Sequence, residues 1–212
     1  MIAGVVVAKS IKEAVRKMNS SDADLYELRV DALEDYSDID ILRPFSSKLI
    51  ITIRSKDEGG IRELGDEERL SLFEKFLEIE PAYIDIELKS RILEDVIELA
   101  RPSSKIVISY HDFSRTPTFE DLLSILHSAE DHEPDIVKIV TYARTPWDNL
   151  RVIKLYEHAN NLIAFCMGQK GKISRVFSAI FSPFTYASID ESVAPGQMSI
   201  YELREILRIL GG

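Results

Sequence analysis

The sequence predicts one (β/α)8 barrel over residues 1–212, and three observations carry that reading. Short β-branched runs alternate with amphipathic helical segments from end to end, making eight strand–helix units of roughly 26 residues each. Barrels of this kind begin at about 200 residues, so a chain of 212 is long enough to close one. The structural rival, a doubly wound open sheet, offers no reason for eight units, and no Gly-x-Gly-x-x-Gly follows the first strand. No linker, low-complexity tract or shift in composition divides the chain.

The elements follow in order. Residues 2–8 form a strand that is too short to cross a bilayer and has no basic region before it. A helix at 10–18 leads to a strand at 25–31, and a short helix at 38–43 leads to a strand at 48–54. The helix at 66–79 sets Leu70, Phe73, Phe76 and Leu77 along the stripe that packs on a sheet. Strands at 81–88, 105–112, 135–142, 161–168 and 185–189 then alternate with helices at 91–100, 118–131, 147–157 and 172–181. The last helix, 199–210, opens on a capping box of Ser199 and Glu202 and stops at Gly211.

Composition narrows the function. Hydrophobic residues make up 45% and charged residues 29%, as in a soluble globular protein. The net charge of -10 argues against nucleic acid or an anionic membrane as partner, and an anionic ligand would need locally placed arginines. The single cysteine, Cys166, excludes an intramolecular disulfide framework and CxxC metal sites, and a cytoplasmic location is expected. No His/Asp/Glu spacing suggests a metal site and no nucleotide loop is present, so neither metal nor cofactor is expected.

A barrel places its chemistry at the carboxyl ends of its strands. The run Asp135-Ile136-Val137-Lys138-Ile139-Val140-Thr141 reads as a strand buried on both faces. An ammonium there snorkels, pairs with a carboxylate or serves as a nucleophile. Parity turns Lys138 inward, and it turns His111, at the end of Ser109-Tyr110-His111-Asp112-Phe113, inward from the neighbouring strand. Alone, that histidine would be a structural residue. With the lysine it suits imine chemistry: the amine attacks a ketone, the iminium draws electrons, and the imidazole moves protons.

Glu27 and Arg29 share one face at the end of the second strand, as an ion pair at the mouth or as ligand contacts. Arg54 ends the third strand ahead of the loop Ser55-Lys56-Asp57-Glu58-Gly59-Gly60, and surface and functional readings both fit it. Asp85 and Glu87 also share a face; their role stays open, with supporting ion pairs the plainer reading. Met167 is a pocket wall, while Cys166 has the opposite parity and packs under the helices. His127, His132 and His158 are read as surface residues. The loop from Gly168 to Arg175 enters a helix start whose amides and positive charge can hold an anion. Because the loop at 190–197 is acidic and poor in glycine, a carboxylate on Arg175 fits better than a phosphate.

In order and spacing these pieces resemble the type I 3-dehydroquinate dehydratases, the Schiff-base enzymes of the shikimate pathway, over essentially the full length. The matching residues are Glu27-Leu28-Arg29-Val30-Asp31, Thr52-Ile53-Arg54 with Glu58-Gly59-Gly60, and Ser109 to Phe113. Lys138 follows 27 residues after His111 (138 − 111), Arg175 follows Met167 by eight (175 − 167), and Ala194-Pro195-Gly196-Gln197 completes the set. The resemblance implies that Lys138 forms an imine with the C3 ketone of 3-dehydroquinate. His111 would take a C2 proton and later protonate the departing C1 hydroxyl, a syn elimination. Glu58 would orient His111 and favour its protonated form. Arg175 would hold the substrate carboxylate, Glu27, Arg29, Arg54 and Gln197 would contact or position its hydroxyls, and Met167 would shape the pocket. Loops 55–65 and 188–198 would act as lids. The size suggests a stand-alone archaeal-type enzyme, and a homodimer is common in the family.

The sequence departs from that pattern at Val193, where the family usually has serine or threonine four residues before the lid glutamine. The neighbouring Ser192 would point the other way on an extended loop. Two other functions compete: a class I aldolase, against which the loop after the eighth strand argues, and a non-enzymatic binding barrel, which would leave the inward Lys, His, Arg and Glu without purpose.

Overall fold

The structure is a computed structural model that describes residues 1–189 and 196–211. Eight parallel strands run in sequence: β1 (Ile2–Val6), β2 (Leu25–Arg29), β3 (Leu49–Thr52), β4 (Tyr83–Glu87), β5 (Lys105–Asp112), β6 (Ile136–Tyr142), β7 (Leu162–Met167) and β8 (Thr185–Ser188). Their hydrogen-bonded order, β7-β6-β5-β4-β3-β2-β1-β8, joins the first strand to the last and curls the sheet into a nearly closed (β/α)8 barrel, as predicted. Among the described residues β7 and β8 do not pair with each other.

Seven α-helices surround the strands among the described residues: α1 (Ile11–Asn19), α2 (Asp66–Leu77), α3 (Leu93–Ala100), α4 (Phe119–Glu130), α5 (Asp148–Ile153), α6 (Lys172–Phe181) and α7 (Ile200–Ile209). α6 packs on both β7 and β8 and so covers the unpaired seam. The helix expected at 38–43 is instead a 3-10 run, Ile39–Lys48, with Pro44 inside it. Proline supplies no N–H and its ring clashes with the carbonyl one α-turn earlier, so a tighter winding replaces the α-helix. The helix expected at 147–157 is α5 continued by a 3-10 turn, Lys154–Glu157. Ser10 and Thr118 cap α1 and α4, and the capping box of Ser199 and Glu202 on α7 is present. No helix among the described residues is long and apolar enough to cross a membrane.

Both faces of the strands are buried, which is why they read as continuous apolar runs. The outer face, with Leu28, Ile51, Ile84, Ile108, Ile139 and Cys166, packs under the helices. The inner face is apolar toward the amino ends, where Ala3, Leu25, Ile50, Val107, Ile136 and Ile163 fill the barrel. Toward the carboxyl ends, parity keeps pointing inward at residues that are polar: Glu27, Thr52, Asp85, Glu87, Ser109 and Lys138, all buried.

Two glycines bring the loops over this polar end. Gly59 has φ +87°, and a Cβ there would stand 2.4 Å from the Phe113 ring, so the loops after β3 and β5 touch. Gly196 has φ +71°, and a Cβ there would lie 2.3 Å from the Gly168 carbonyl oxygen, so residue 196 seats against the loop after β7 and delivers Gln197. Asp31, fully buried, clamps the same end. It accepts two bonds of 2.8 Å from Arg29, one of 2.8 Å from the Ile61 amide and one of 3.4 Å from the Arg54 amide. Burial alone would raise its carboxyl, but these partners hold it below the ordinary aspartate value.

Removing one partner of a buried, bonded ion pair strands the other. Asp31→Ala should therefore cost about 3–5 kcal/mol of folding stability, read by urea denaturation monitored by circular dichroism. A loss below about 1 kcal/mol would show that Asp31 does not anchor this end of the barrel.

Candidate active site

Lys138 leaves the middle of β6 pointing into the barrel, only 4% exposed. Its Nζ donates to Asp85 Oδ2 at 2.9 Å and to Glu27 Oε1 at 3.3 Å, and lies 3.9 Å from the centre of the Tyr186 ring. Of the behaviours open to a lysine in this strand, snorkelling is ruled out and carboxylate pairing is realised. The register that sets Lys138 beside Ser109, and Ser109 beside Glu87, builds the surrounding layer.

Asp85 is the hub of that layer. Its Oδ1 accepts from Arg54 Nη2 at 2.8 Å and from Ser109 Oγ at 2.6 Å. Burial alone would raise its carboxyl, but the Arg54 and Lys138 charges hold it well below the usual range. Arg54 also donates to Ser109 Oγ at 2.6 Å and lies 3.4 Å from Glu87 Oε1. Burial opposes its charge, and Asp85, Glu87 and Glu27 outweigh burial and keep it protonated. Of the two readings left open for Arg54, the surface one fails: it is 3% exposed and lines the pocket. Glu87 in turn accepts from the Ser55 amide at 2.7 Å and from Arg69. Asp85 and Glu87 are thus ion-pairing supports, a role the sequence left open.

His111 sits at the end of β5, with Nδ1 2.9 Å from Glu58 Oε2, which also accepts from the His111 backbone amide at 3.1 Å. Burial, then Arg54 and Lys138, holds the imidazole well below its ordinary value. Burial likewise pushes Glu58 up to about 7, against the pull of Arg54. Glu58 contacts the ring through Nδ1, but burial and two cations outweigh any pull it exerts toward the protonated form and keep the ring neutral. When Glu58 is ionised it takes the Nδ1 proton as a hydrogen bond, leaving Nε2 with a lone pair.

Arg175 projects from α6 against the Phe165 ring, 4.4 Å from Cζ to the ring centre, and is 2% exposed. No carboxylate pairs with it among the described residues, and its Nε has no hydrogen-bond partner there. Burial lowers the guanidinium to about 10, which an anion beside it would offset. Met167, 2% exposed, and Gln197, 9% exposed, line the same pocket as Glu27, Arg29, Arg54, Glu58, His111, Lys138 and Arg175. All nine side chains singled out in the sequence therefore meet in one pocket. Arg29 lies at its edge, held by Asp31 and donating to the Gly59 carbonyl at 3.2 Å. Val193 and Ser192 lie outside the described residues. His127 and His158 are exposed, and His132 is half-buried and pairs with Glu94 at 2.7 Å.

Sequence reasoning missed two residues of this layer. Arg69 lies on α2 at the phase of the buried Leu72, Phe73 and Phe76, a signal that it faces the barrel; it donates to the Ile53 carbonyl and to Glu87. Tyr186 has inward parity on β8 and is 4% exposed.

Fold and site together define a class: a (β/α)8 protein with an ionised, solvent-shielded pocket at the carboxyl ends of its strands, holding a lysine, a histidine–carboxylate pair and an arginine without a carboxylate partner among the described residues. The family model described as type I 3-dehydroquinase matches residues 2–212, and the chain belongs to that family. It is 57% identical to the 3-dehydroquinate dehydratase of Pyrococcus abyssi over 212 residues, covering 100% of this chain and 99% of the relative. The crystal structure of 3-dehydroquinate dehydratase from Geobacillus kaustophilus superposes with a TM-score of 0.87 at 29% identity, covering 99% of this chain and 90% of that one. That of type I 3-dehydroquinate dehydratase from Clostridium difficile with covalent modified comenic acid also gives 0.87, at 26% identity, covering 99% and 91%.

Arg175 generates a direct test. Replacing it with alanine should weaken substrate binding by about 2–5 kcal/mol, because a desolvated carboxylate would lose its forked partner. Lysine should restore only part of that, being a point charge without the planar fork. Titration calorimetry reads both; if both variants bind normally, the carboxylate docks elsewhere.

Proposed function

We propose that this chain removes water from 3-dehydroquinate to give 3-dehydroshikimate by syn elimination through a lysine imine, a step toward chorismate and the aromatic amino acids. The observation that carries the reading is the buried Lys138 facing the same pocket as a neutral His111 oriented by Glu58. Relatives named 3-dehydroquinate dehydratase at 57% and 50% identity over the whole chain support it, and the C. difficile enzyme solved with covalent modified comenic acid supports a covalent route.

Each group then has a task. Lys138 passes a proton to a neighbouring carboxylate, attacks the C3 ketone and, with loss of water, becomes an iminium. The iminium draws electrons from C2, so Nε2 of His111 removes a C2 proton there and returns it to the C1 hydroxyl as it leaves on the same face. Glu58 fixes the ring through Nδ1. Arg175 receives the carboxylate as a forked pair. Glu27, Arg29 and Gln197 face the hydroxyls, while Arg54, held by Asp85 and Ser109, positions the layer beneath them. Met167 walls the imine. The loop 55–65 closes over the site and excludes water that would hydrolyse the iminium, while the second expected lid, 188–198, lies largely outside the described residues.

Borohydride added during turnover should fix one ligand-sized mass on Lys138, found by peptide mapping. An adduct on another lysine, or near-normal turnover in Lys138→Ala, would sink the imine route.

The proton-transfer pair predicts a pH dependence. Glu58 rests at about 7, so ionisation above that value exposes Nε2 as a base, and kcat/KM should rise with pH through neutrality. In Glu58→Gln that rise should vanish. His111→Ala should cut kcat by roughly 10²–10⁴-fold while trapped adduct still accumulates. A Glu58→Gln profile that overlays the native one would remove Glu58 from the mechanism.

A further inference from the structure

Tyr186 presents its ring to the Lys138 ammonium from β8, 3.9 Å from Nζ to the ring centre, and lines the same pocket as Glu27, which accepts from that Nζ at 3.3 Å. Its hydroxyl is buried and has no hydrogen-bond partner among the described residues. Phenylalanine would fill the same space without stranding a buried donor, so the hydroxyl calls for a reason. Burial, together with the Glu27 and Asp85 charges, keeps the phenol well above its ordinary value, and it therefore remains a donor at working pH.

A need for a donor arises when the imine forms, so this inference rests on the imine reading above. In that step the ammonium and the ketone become an iminium and water. The C=N bond forms, the ketone C–O bond breaks, and its oxygen leaves with two of the three ammonium protons. The third proton and the positive charge stay on nitrogen. Two carboxylates that shared three N–H donors are left with one. Asp85 has the shorter bond to Nζ, 2.9 Å, and is also held by Arg54 and Ser109. Glu27 has the longer one, 3.3 Å, and otherwise accepts from Thr52 Oγ1 at 3.1 Å. Glu27 is the carboxylate that loses its cationic donor.

We propose that Tyr186 is a positioning residue of the covalent intermediate, its phenol donating to Glu27 once Lys138 has become an iminium and holding that carboxylate toward the substrate hydroxyls.

The test compares native protein with Tyr186→Phe, each equilibrated with 3-dehydroshikimate, pulsed with borohydride and weighed by intact-mass spectrometry. The ratio of adduct to unmodified protein should fall about tenfold in the variant, the size of one hydrogen bond to a charged group. Affinity for the analogue in which the ketone is reduced to an alcohol should not change, since no imine can form. The variant's melting temperature without ligand should equal or exceed that of the native protein, because no bond is lost there. An unchanged adduct ratio overturns the proposal. An equal loss of affinity for the alcohol, or a lower melting temperature, overturns it too, by showing ordinary packing or a bond already made. Native protein that yields no adduct on Lys138 overturns the imine reading and this proposal with it, whereas normal native adduct with an unaffected variant overturns this proposal alone.

Discussion

The site depends on a continuous chain of buried ion pairs running Arg69–Glu87–Arg54–Asp85–Lys138–Glu27. Three cations alternate with three anions, so the array is neutral as a whole although every member is nearly inaccessible to water. That balance lets six ionised groups persist where any one alone would be too costly to bury. It also links four elements: α2 supplies Arg69, β4 the two acids, β6 the lysine and β2 the last glutamate. The loop after β3 joins through Arg54 and through the Ser55 amide on Glu87. For the proposed imine, a lysine fixed in this way would meet a ketone from one direction, beside acids able to take and return the protons that condensation requires.

His111 and Arg175 stand at the edges of this array and behave differently because of it. His111 faces two cations of the array and is kept neutral, which suits a base. Arg175 shares the pocket but pairs with none of the array's acids among the described residues, because they are already committed. Its stacking on Phe165 holds the fork while leaving its donors for an anion. In the proposed mechanism one strand-end layer thus offers a nucleophile, a base and an anion receptor, each tuned by whether the network includes it.

The apolar half of the barrel makes this possible. Side chains such as Leu25, Ile50, Val107 and Ile163 close the interior below the charged layer. At the mouth, Gly59 and Gly196 allow the loops to come close over the charges.

Much of this was legible beforehand. Alternating strand and helix patterns determined the barrel, because a strand buried on both faces and a helix with one apolar stripe each leave a period in the sequence. Parity along those strands then placed Lys138 and His111 inward and set Glu27 and Arg29 on one face, and Ser199–Glu202 announced the cap of α7, whereas Arg54 stayed open between surface and pocket until the barrel closed. Local signals failed where a single residue overrode the pattern: Pro44 turned the segment at 39–48 into a 3-10 run, and Arg69 hid within an apolar stripe. Partners and protonation were beyond any local pattern. Which carboxylate meets Lys138, why Arg54 is held from beneath, and why His111 is neutral rather than charged depend on groups up to 111 residues apart in the chain. Only closure of the barrel sets those distances and removes the water between them, and the strength of a charge–charge interaction depends on both.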